Sequence, residues 1–333
     1  MRFRFKPSSE QRSRLRAQMA RLQQPAAALE ILRSVLPADF EPTGVTCTLQ
    51  SVHSDRFVMR VQMRADAGEQ RQYALKVYSD DFAQAVWRHA RSLAHHHQPK
   101  QNGLCLPTRF IHDERMLIFP WVDGRFLSEI VDERKPELMR QAARVAAVLH
   151  RLDIVPEALT TAQMIVDETR ARCERLSNRW SETAPILEPL MAILQEASSA
   201  LDPVDPAPVH GDLAAGQYLW TGDRLVLLDL DMFGYTDPSY DAGHFLAQLE
   251  RRSLVDPTVR AQTPRWLDSF REAYFAAMPK VSPRNVSFYH GLTLIRKIYT
   301  ICRRQPAEWP ELVPQIADHA RAALEEVVSP MRN

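Results

Sequence analysis

Cysteine is scarce: the 333 residues hold four, Cys47, Cys105, Cys173 and Cys302, far apart and with no CxxC pair. That argues against a disulfide framework and against a zinc finger or ribbon, and it makes a reducing cytoplasm the expected compartment. Long apolar runs are missing as well. None approaches the roughly 20 residues a membrane-spanning helix needs, so no membrane partner is expected. Nor does one sign of charge dominate: 42 Lys and Arg face 41 Asp and Glu, for a net charge of +1. That balance gives no reason to expect nucleic acid as a partner. The first 25 residues carry seven Lys/Arg and one acid, Glu10. A secretory signal would need an apolar stretch after those charges, and residues 8–21 offer none. The segment 1–42 reads instead as a basic helical stretch, frayed and solvated, ahead of the folded core. No internal repeat or low-complexity tract is present.

What is there is the composition of an ordinary globular protein, 45% hydrophobic and 25% charged, long enough for a large core and two lobes. Between Thr43 and Tyr78, short alternating runs at 44–49, 56–63 and 72–78 are separated by turns at Ser54-Asp55 and Asp66-Ala67-Gly68. They predict an antiparallel meander. Helical spacing of Phe82, Val86 and Leu93 follows over 82–97, then two strands at 106–111 and 116–122 around the turn His112-Asp113-Glu114-Arg115. Gly124 marks the lobe boundary, giving an N-terminal lobe of 43–123 and a C-terminal lobe of 124–333. Helical patterns then occupy 137–152, 161–176, 186–201, 241–250, 258–278, 285–303 and 311–328. One strand pair interrupts them, 218–220 and 224–230, joined by Thr221-Gly222-Asp223. The fold class is therefore α+β: a small five-stranded antiparallel lobe followed by a larger helical lobe with one inserted hairpin, the two-lobed protein-kinase plan.

The chemistry concentrates in His210-Gly211-Asp212-Leu213-Ala214-Ala215-Gly216-Gln217 and in Leu227-Leu228-Asp229-Leu230-Asp231. An acid on an irregular loop can take a proton from a hydroxyl. A carboxamide five residues later starts one arm of a hairpin, and a second acid ends the other arm. Mg²⁺ needs hard oxygen ligands completed by water and phosphate oxygens, and a Gln carbonyl with an Asp carboxylate suits it. One base with two metal ligands is the equipment of phosphoryl transfer from a nucleotide. His210 and Gly211 shape the loop rather than react. The apolar run Leu225 to Leu228 predicts that Asp229 ends a buried strand.

At these residues the chain resembles the aminoglycoside phosphotransferase/choline kinase family of small-molecule kinases, from about Thr43 to Leu249. Ala146-Ala147-Val148-Leu149-His150 is similar to that family's helix below the catalytic loop. Asp229-Leu230-Asp231, Gly234, Asp237-Pro238 and Tyr240-Asp241-Ala242 are similar to its metal-binding strand and the helix after it. The resemblance implies Asp212 as catalytic base, Gln217 and Asp229 as Mg²⁺ ligands and Asp231 as a supporting acid. It further implies that Asp241 braces the loop and that Lys76, in Tyr73-Ala74-Leu75-Lys76-Val77, holds the phosphates of ATP or GTP. The adenine is expected against Phe119-Pro120-Trp121-Val122, where Pro120 has no N–H to offer.

Three departures from the family pattern stand out. Gln217 replaces the usual Asn, as in the bacterial maltokinases. No Asp or Glu occurs from Phe82 through Ile111, so Lys76 lacks the usual helix glutamate; His89 takes its place, and Asp80 or Asp81 is a candidate substitute. The turn expected over the phosphates, Ser51-Val52-His53-Ser54-Asp55, has no glycine; the hydroxyls of Ser51 and Ser54 are the alternative donors. An active enzyme and a degenerate pseudokinase that binds nucleotide or a protein partner are therefore both open. His95-His96-His97 reads as a solvated helix end, since successive helical side chains diverge. Trp266, Phe270 and Tyr274 read as a core stripe. Residues 273–307 hold Lys280, Arg284, Arg296, Lys297, Arg303 and Arg304 and no acid. They read either as a solvated helix face or, since the family resemblance implies that the C-terminal helices help wall the acceptor site, as a wall for a small hydroxyl acceptor that is neutral or anionic rather than polycationic.

Overall fold

The computed structural model describes residues 7–66, 68–96, 103–154, 158–304 and 309–329. Outside that set lie His97 of the histidine run, Ala67 of the second turn, residues 305–307 of the basic stretch and the first six residues. The described residues form two compact units, one of 7–96 with 104–123, the other of Gly103 with 124–329.

The first unit contains α1 (Ser9–Leu22), α2 (Pro25–Leu32), β1 (Pro42–Val52), β2 (Arg56–Ala65), β3 (Gln70–Tyr78), α3 (Phe82–His96), β4 (Arg109–Ile111) and β5 (Met116–Pro120). Its five strands make one antiparallel sheet in the order β1-β2-β3-β5-β4. Alternation along β2 puts Phe57, Met59, Val61 and Met63 on one face, all buried. Together with Leu75, Val77, Met116 and Ile118 they form a core with Leu15, Leu22, Ala28 and Leu32 of the two N-terminal helices.

The N-terminal segment is thus no frayed, solvated helix, and that expectation is corrected. Ser8 and Gln11 close a capping box on α1. Arg14, Arg16 and Arg21 are exposed while Leu15 and Leu22, two turns apart, are buried. The density of charge masked a narrow buried stripe. Gln18 donates to the Glu114 backbone carbonyl at 2.7 Å and Arg21 pairs with the Glu114 carboxylate, fastening α1 to the β4–β5 turn. The strand expected at 106–111 begins only at Arg109, because Pro107 cannot donate to a ladder.

The opposite face of the sheet carries the candidate nucleotide residues. Directly opposed residues of an antiparallel pair share a face. The register Ser51↔Val58, Val58↔Lys76 and Lys76↔Leu117 therefore lines Ser51 up with Lys76, and Ala74↔Phe119 is the next row. Helix α3 packs on this side through Ala83 and Val86, against Tyr78 and Leu117.

The second unit comprises β6 (Arg125–Phe126), α4 (Lys135–His150), α5 (Ala162–Arg179), α6 (Ala184–Ser199), β7 (Ala207–Val209), β8 (Tyr218–Trp220), β9 (Leu225–Leu227) and β10 (Gly234–Thr236), then α7 (Ser239–Val255), α8 (Pro257–Arg260), α9 (Thr263–Ala277), α10 (Pro283–Arg304) and α11 (Trp309–Val328). Strands β6-β8-β9 form one small sheet and β10-β7 another. Residues 258–278, expected as one helix, break at Ala261-Gln262 into α8 and α9. The main core unites α5, α6, α10 and α11 with Tyr240 and Ala247 of α7. Helices α7 and α10 touch backbone to backbone at Gly243, where a Cβ would stand 2.6 Å from the His290 amide nitrogen. Trp266, Phe270 and Tyr274 are buried, the expected core stripe. Among the described residues no helix is long and apolar enough to cross a membrane, and all four cysteines are free thiols.

If α1 is part of the core, Leu22→Ala should destabilise the protein by about 2–5 kcal/mol, the usual cost of a buried Leu→Ala truncation. Thermal or urea unfolding would measure it. An unchanged midpoint would show that α1 does not contribute to the fold.

Candidate active site

The second unit builds its site around Asp241, in the first turn of α7 and fully buried. Its Oδ2 accepts the backbone N–H of His210 at 2.6 Å and its Oδ1 that of Gly211 at 2.9 Å. His150, at the end of α4, donates its Nε2–H to Oδ2 at 3.0 Å. Tyr274 of α9 meets His150 Nδ1 at 2.8 Å and donates its hydroxyl to the Pro238 carbonyl at 3.0 Å. Burial alone would raise the Asp241 carboxyl pKa, but the His150 hydrogen bond, the nearby His210 and the Gly211 N–H hold it below the ordinary range.

These bonds fix the loop that carries Asp212. Gly211 adopts φ +81°, and a Cβ there would stand 2.1 Å from the Met232 carbonyl oxygen, so the position requires glycine. His210 is fully buried and works with both ring nitrogens. Its Nε2–H donates to the Leu228 carbonyl at 2.8 Å, and its Nδ1 accepts the Asp212 N–H at 3.2 Å. One imidazole thereby ties the loop to the residue before Asp229.

Asp212 itself is accessible, its side chain 50% exposed, with Oδ1 3.2 Å from Nε2 of His244. Burial opposes its ionisation, but the hydrogen bond and charge of His244, then Lys297 and His210, lower its pKa below the ordinary value. Burial in turn depresses the His244 pKa, with Lys297 and Arg296 adding to the effect against the pull of Asp212. His244 is mostly neutral at pH 7 in consequence, stacked against Tyr240, with the Gln248 carboxamide 3.1 Å from its Nε2.

Gln217 closes a short 3-10 turn, Ala215–Gln217, just before β8. Tyr218 pairs with Leu227, and one step beyond, the Leu228 N–H donates to the Gln217 carbonyl at 2.8 Å, so Gln217 lies beside the residue that precedes Asp229. Asp229 does not simply end a straight strand, as the apolar run suggested. It adopts a left-handed conformation, φ 58° and ψ 64°, and caps the 3-10 turn Leu230–Met232 by accepting the Asp231 N–H at 3.4 Å. Asp231 is buried beneath it. Among the described residues no three His, Cys, Asp or Glu side chains cluster to hold a metal. The oxygens of Gln217 and Asp229 fit a hard cation that brings water and phosphate oxygens for the rest of its shell, as Mg²⁺ does, and not one that needs a protein cage.

In the first unit, Lys76 is buried in β3 with its Nζ 5.6 Å from the Tyr78 ring centroid. Ser51 lies in the same cross-strand row, after a bulge between Leu49 and Ser51, and Ser54 is exposed in the β1–β2 turn. Trp121 donates its backbone N–H to the Gln72 carbonyl, just past Pro120, and its indole N–H to Asp123 at 2.8 Å. The Arg60 guanidinium lies 4.4 Å from its ring centroid. Asp80 accepts the Phe82 N–H at 3.1 Å and Asp81 pairs with Arg115 at 2.9 Å, so both acids have work away from the phosphate row.

Sequence reasoning did not single out His244, Tyr274 as a hydrogen-bonding group, or any role for His150. For His244 a signal existed: it stands three residues after Asp241 on the same helix face. Of the six cations noted in 273–307, Arg284 pairs with Asp202, Arg296 with Glu168, and Arg303 lies over the Tyr299 ring. Lys297 and Arg304 line a cavity with Asp212.

The sequence profile of the phosphotransferase enzyme family matches residues 53–284. No curated protein matches the chain. Solved structures do. A protein of Ralstonia eutropha described as an aminoglycoside phosphotransferase is 14% identical, with TM-score 0.65, covering 91% of this chain and 98% of its own. A thermostable mutant of aminoglycoside phosphotransferase APH(4)-Ia, in complex with AMP-PNP and hygromycin B, is 12% identical, with TM-score 0.62, covering 90% and 98%. Choline kinase from Cryptosporidium parvum is 10% identical, with TM-score 0.61, covering 92% and 96%. At such identities the likeness is one of fold.

Asp241→Asn tests the brace. A carboxylate accepts from all three donors, whereas an amide must turn its own N–H₂ toward one of them. Leaving a buried donor unsatisfied costs about 1–3 kcal/mol, readable in urea unfolding at pH 7. The Asp241 pKa is depressed by folding, so its contribution is full above the unfolded carboxylate value of about 3.9 and is lost as pH falls through the folded pKa. The gap between mutant and wild type should therefore narrow below about pH 4. A gap that widens there would contradict an ionised Asp241.

Proposed function

The chain belongs to the phosphotransferase enzyme family, and from that premise we propose that it moves the γ-phosphate of ATP or GTP to a hydroxyl of a small molecule, with Mg²⁺ as cofactor. The observation that carries the reading is the joint fixing of Asp212 and of the Gln217 and Asp229 arms through His210 and Asp241. A base held at a fixed place near two oxygen ligands is what a reaction dominated by positioning requires. The relative solved with AMP-PNP and hygromycin B, and APH(2'')-Ib solved with ADP, support a nucleotide as donor.

In this reading the acceptor hydroxyl lies against Asp212. Its oxygen forms the new bond to the γ-phosphorus, the bond to the β–γ bridging oxygen breaks, and the hydroxyl proton passes to the Asp212 carboxylate. A carboxylate with a depressed pKa is a weak base toward an alcohol. It suits a loose transition state, in which the proton leaves late and the main demand is orientation. His244 aims the carboxylate and keeps it ionised. Gln217 and Asp229 would hold Mg²⁺, which when bound supplies positive charge to the phosphate oxygens. Lys76, with the hydroxyls of Ser51 and Ser54, would hold the nucleotide phosphates, and Phe119 and Trp121 would take the base. Asp231 would support the metal arm.

A second reading, a degenerate protein that binds nucleotide or a protein partner without turnover, is favoured by one observation: α3 contains no Asp or Glu, a departure from the family pattern.

Two measurements decide. Asp212→Ala should lower ADP formation by about 100- to 10,000-fold, the span of general-base contributions, while the thermal shift with ATP and Mg²⁺ stays near the wild-type value. Asp229→Ala should raise the Mg²⁺ concentration needed for half-maximal rate. Turnover retained by Asp212→Ala would remove that residue from the mechanism. A wild-type shift with nucleotide but no ADP formation would favour the degenerate reading.

A further inference from the structure

A cavity of about 800 Å³ opens beside Asp212, walled by α7, α8, α10 and α11. Its lining includes four cations, Arg251, Arg260, Lys297 and Arg304, against two acids, Asp212 and Glu311. Building on the phosphotransfer reading above, we infer that the acceptor alcohol itself carries an oxyanion, a phosphate or a carboxylate, held by Arg251, Lys297 and Arg304 while its hydroxyl meets Asp212.

Some of the cations on these helices are already satisfied within the protein and some are not. Of the cations on the same helices but outside the cavity, Arg252, Arg284 and Arg296 have carboxylate partners and Arg303 lies over the Tyr299 ring, while Arg321 has no partner among the described residues. Arg296 pairs with Glu168 at 3.3 Å and donates to the Tyr240 hydroxyl, Arg284 pairs with Asp202, and Arg252 with Asp256. Inside the cavity, Arg260 donates to the carbonyls of Ser253 and Leu254. Arg251, Lys297 and Arg304 have no hydrogen-bond or carboxylate partner among the described residues, and the buried Nε of Arg251 is orphaned outright.

Grouping these cations has a cost visible in their own ionisation. Burial, together with Arg251, Arg296 and Arg304, pushes Lys297 down to about 8 even though Asp212 pulls the other way. Burial and Arg304 lower Arg251 as well. Partly buried charge without a partner destabilises a fold, and a bound oxyanion removes that penalty with charge-assisted, bidentate hydrogen bonds from guanidinium groups. A polycationic or quaternary-amine acceptor finds the reverse. Among the described residues that line the cavity, Glu311 is the one acid besides Asp212, which the hydroxyl needs.

Two measurements on the full chain test the inference. The first is calorimetric titration of inorganic phosphate at pH 7.5 into wild type, Arg251→Gln and Arg304→Gln. Arg304 is exposed, so its variant should fold even if the other does not. Saturable binding that weakens at least tenfold in either folded variant supports the inference. No saturable binding, or equal binding in the folded variants, overturns it. The second compares initial rates of ADP formation with glucose against glucose 6-phosphate, and glycerol against glycerol 3-phosphate, with kanamycin and choline as cationic controls. A kcat/KM at least tenfold higher for a phosphorylated member, lost mainly through KM in Arg304→Gln, supports it. Preference for the neutral or cationic alcohols overturns the anionic acceptor and leaves phosphotransfer standing. Phosphate bound through Arg251 and Arg304, with no ADP formed from any alcohol, supports the anion pocket and overturns phosphotransfer.

Discussion

The second unit depends on one buried carboxylate. Asp241 is shut off from water, and an isolated charge there would be untenable. It is stable because three donors converge on it, from the loop at His210 and Gly211 and from His150 on α4, and because it stands in the first turn of α7, where the helix dipole favours an anion. Through His150 and Tyr274 the same network reaches α9 and the Pro238 carbonyl at the start of α7. Helices α4, α7 and α9 and the reactive loop are therefore held by groups that each need the others to be satisfied. Remove the acceptor and two backbone N–H groups and an imidazole lose their partners together.

The backbone around the loop is consumed by these bonds, which leaves the reactive side chains available. The N–H groups of His210, Gly211 and Asp212 and the carbonyl of Leu228 all have partners, and Met232 blocks any side chain at position 211. Asp212 is left half-exposed, with His244 beside it. Burial keeps His244 mostly neutral, so it can orient the carboxylate by hydrogen bonding without giving up a full proton to it. The backbone that carries Asp212 is set by Asp241 and His210, while His244 both aims its carboxylate and, with Lys297, lowers its pKa.

How far the sequence announced this varies with the physical cause. The five-strand sheet was legible because the sequence alternates with period two in 56–63 and 72–78, and along 56–63 burial alternates with it. The loop and hairpin residues could be named because irregular, polar, closely spaced positions stand out against apolar strands. The three short strands β6, β7 and β10 were not seen, since two or three residues are too few to show a period. Helix α1 was misread as solvated because its exposed arginines outnumber the two buried leucines that hold it. The left-handed turn at Asp229 escaped because it is imposed by the backbone that follows and not by the apolar run before it. Of the basic segment the sequence showed the charge but not its placement: which of those cations already have carboxylate partners depends on acids far away in the chain, such as Glu168 and Asp202.

Helix α7 shows how one element can serve both a constant task and a variable one. Asp241, His244, Gln248 and Arg251 follow one another at spacings of three and four, a single stripe along the helix. Its first residue braces the loop, its second touches the Asp212 carboxylate, and the last two line the cavity with Asp212. Gly243, pressed against the α10 backbone, prevents the helix from rotating or sliding to present another face. The stripe therefore couples the two ends in position but not in chemistry. Arg251 and the carboxylate that holds the loop lie about three turns apart on the helix, about 15 Å at 1.5 Å per residue, and share no hydrogen-bond partner. One helix thus holds the loop at its first turn and lines a largely cationic cavity at its last.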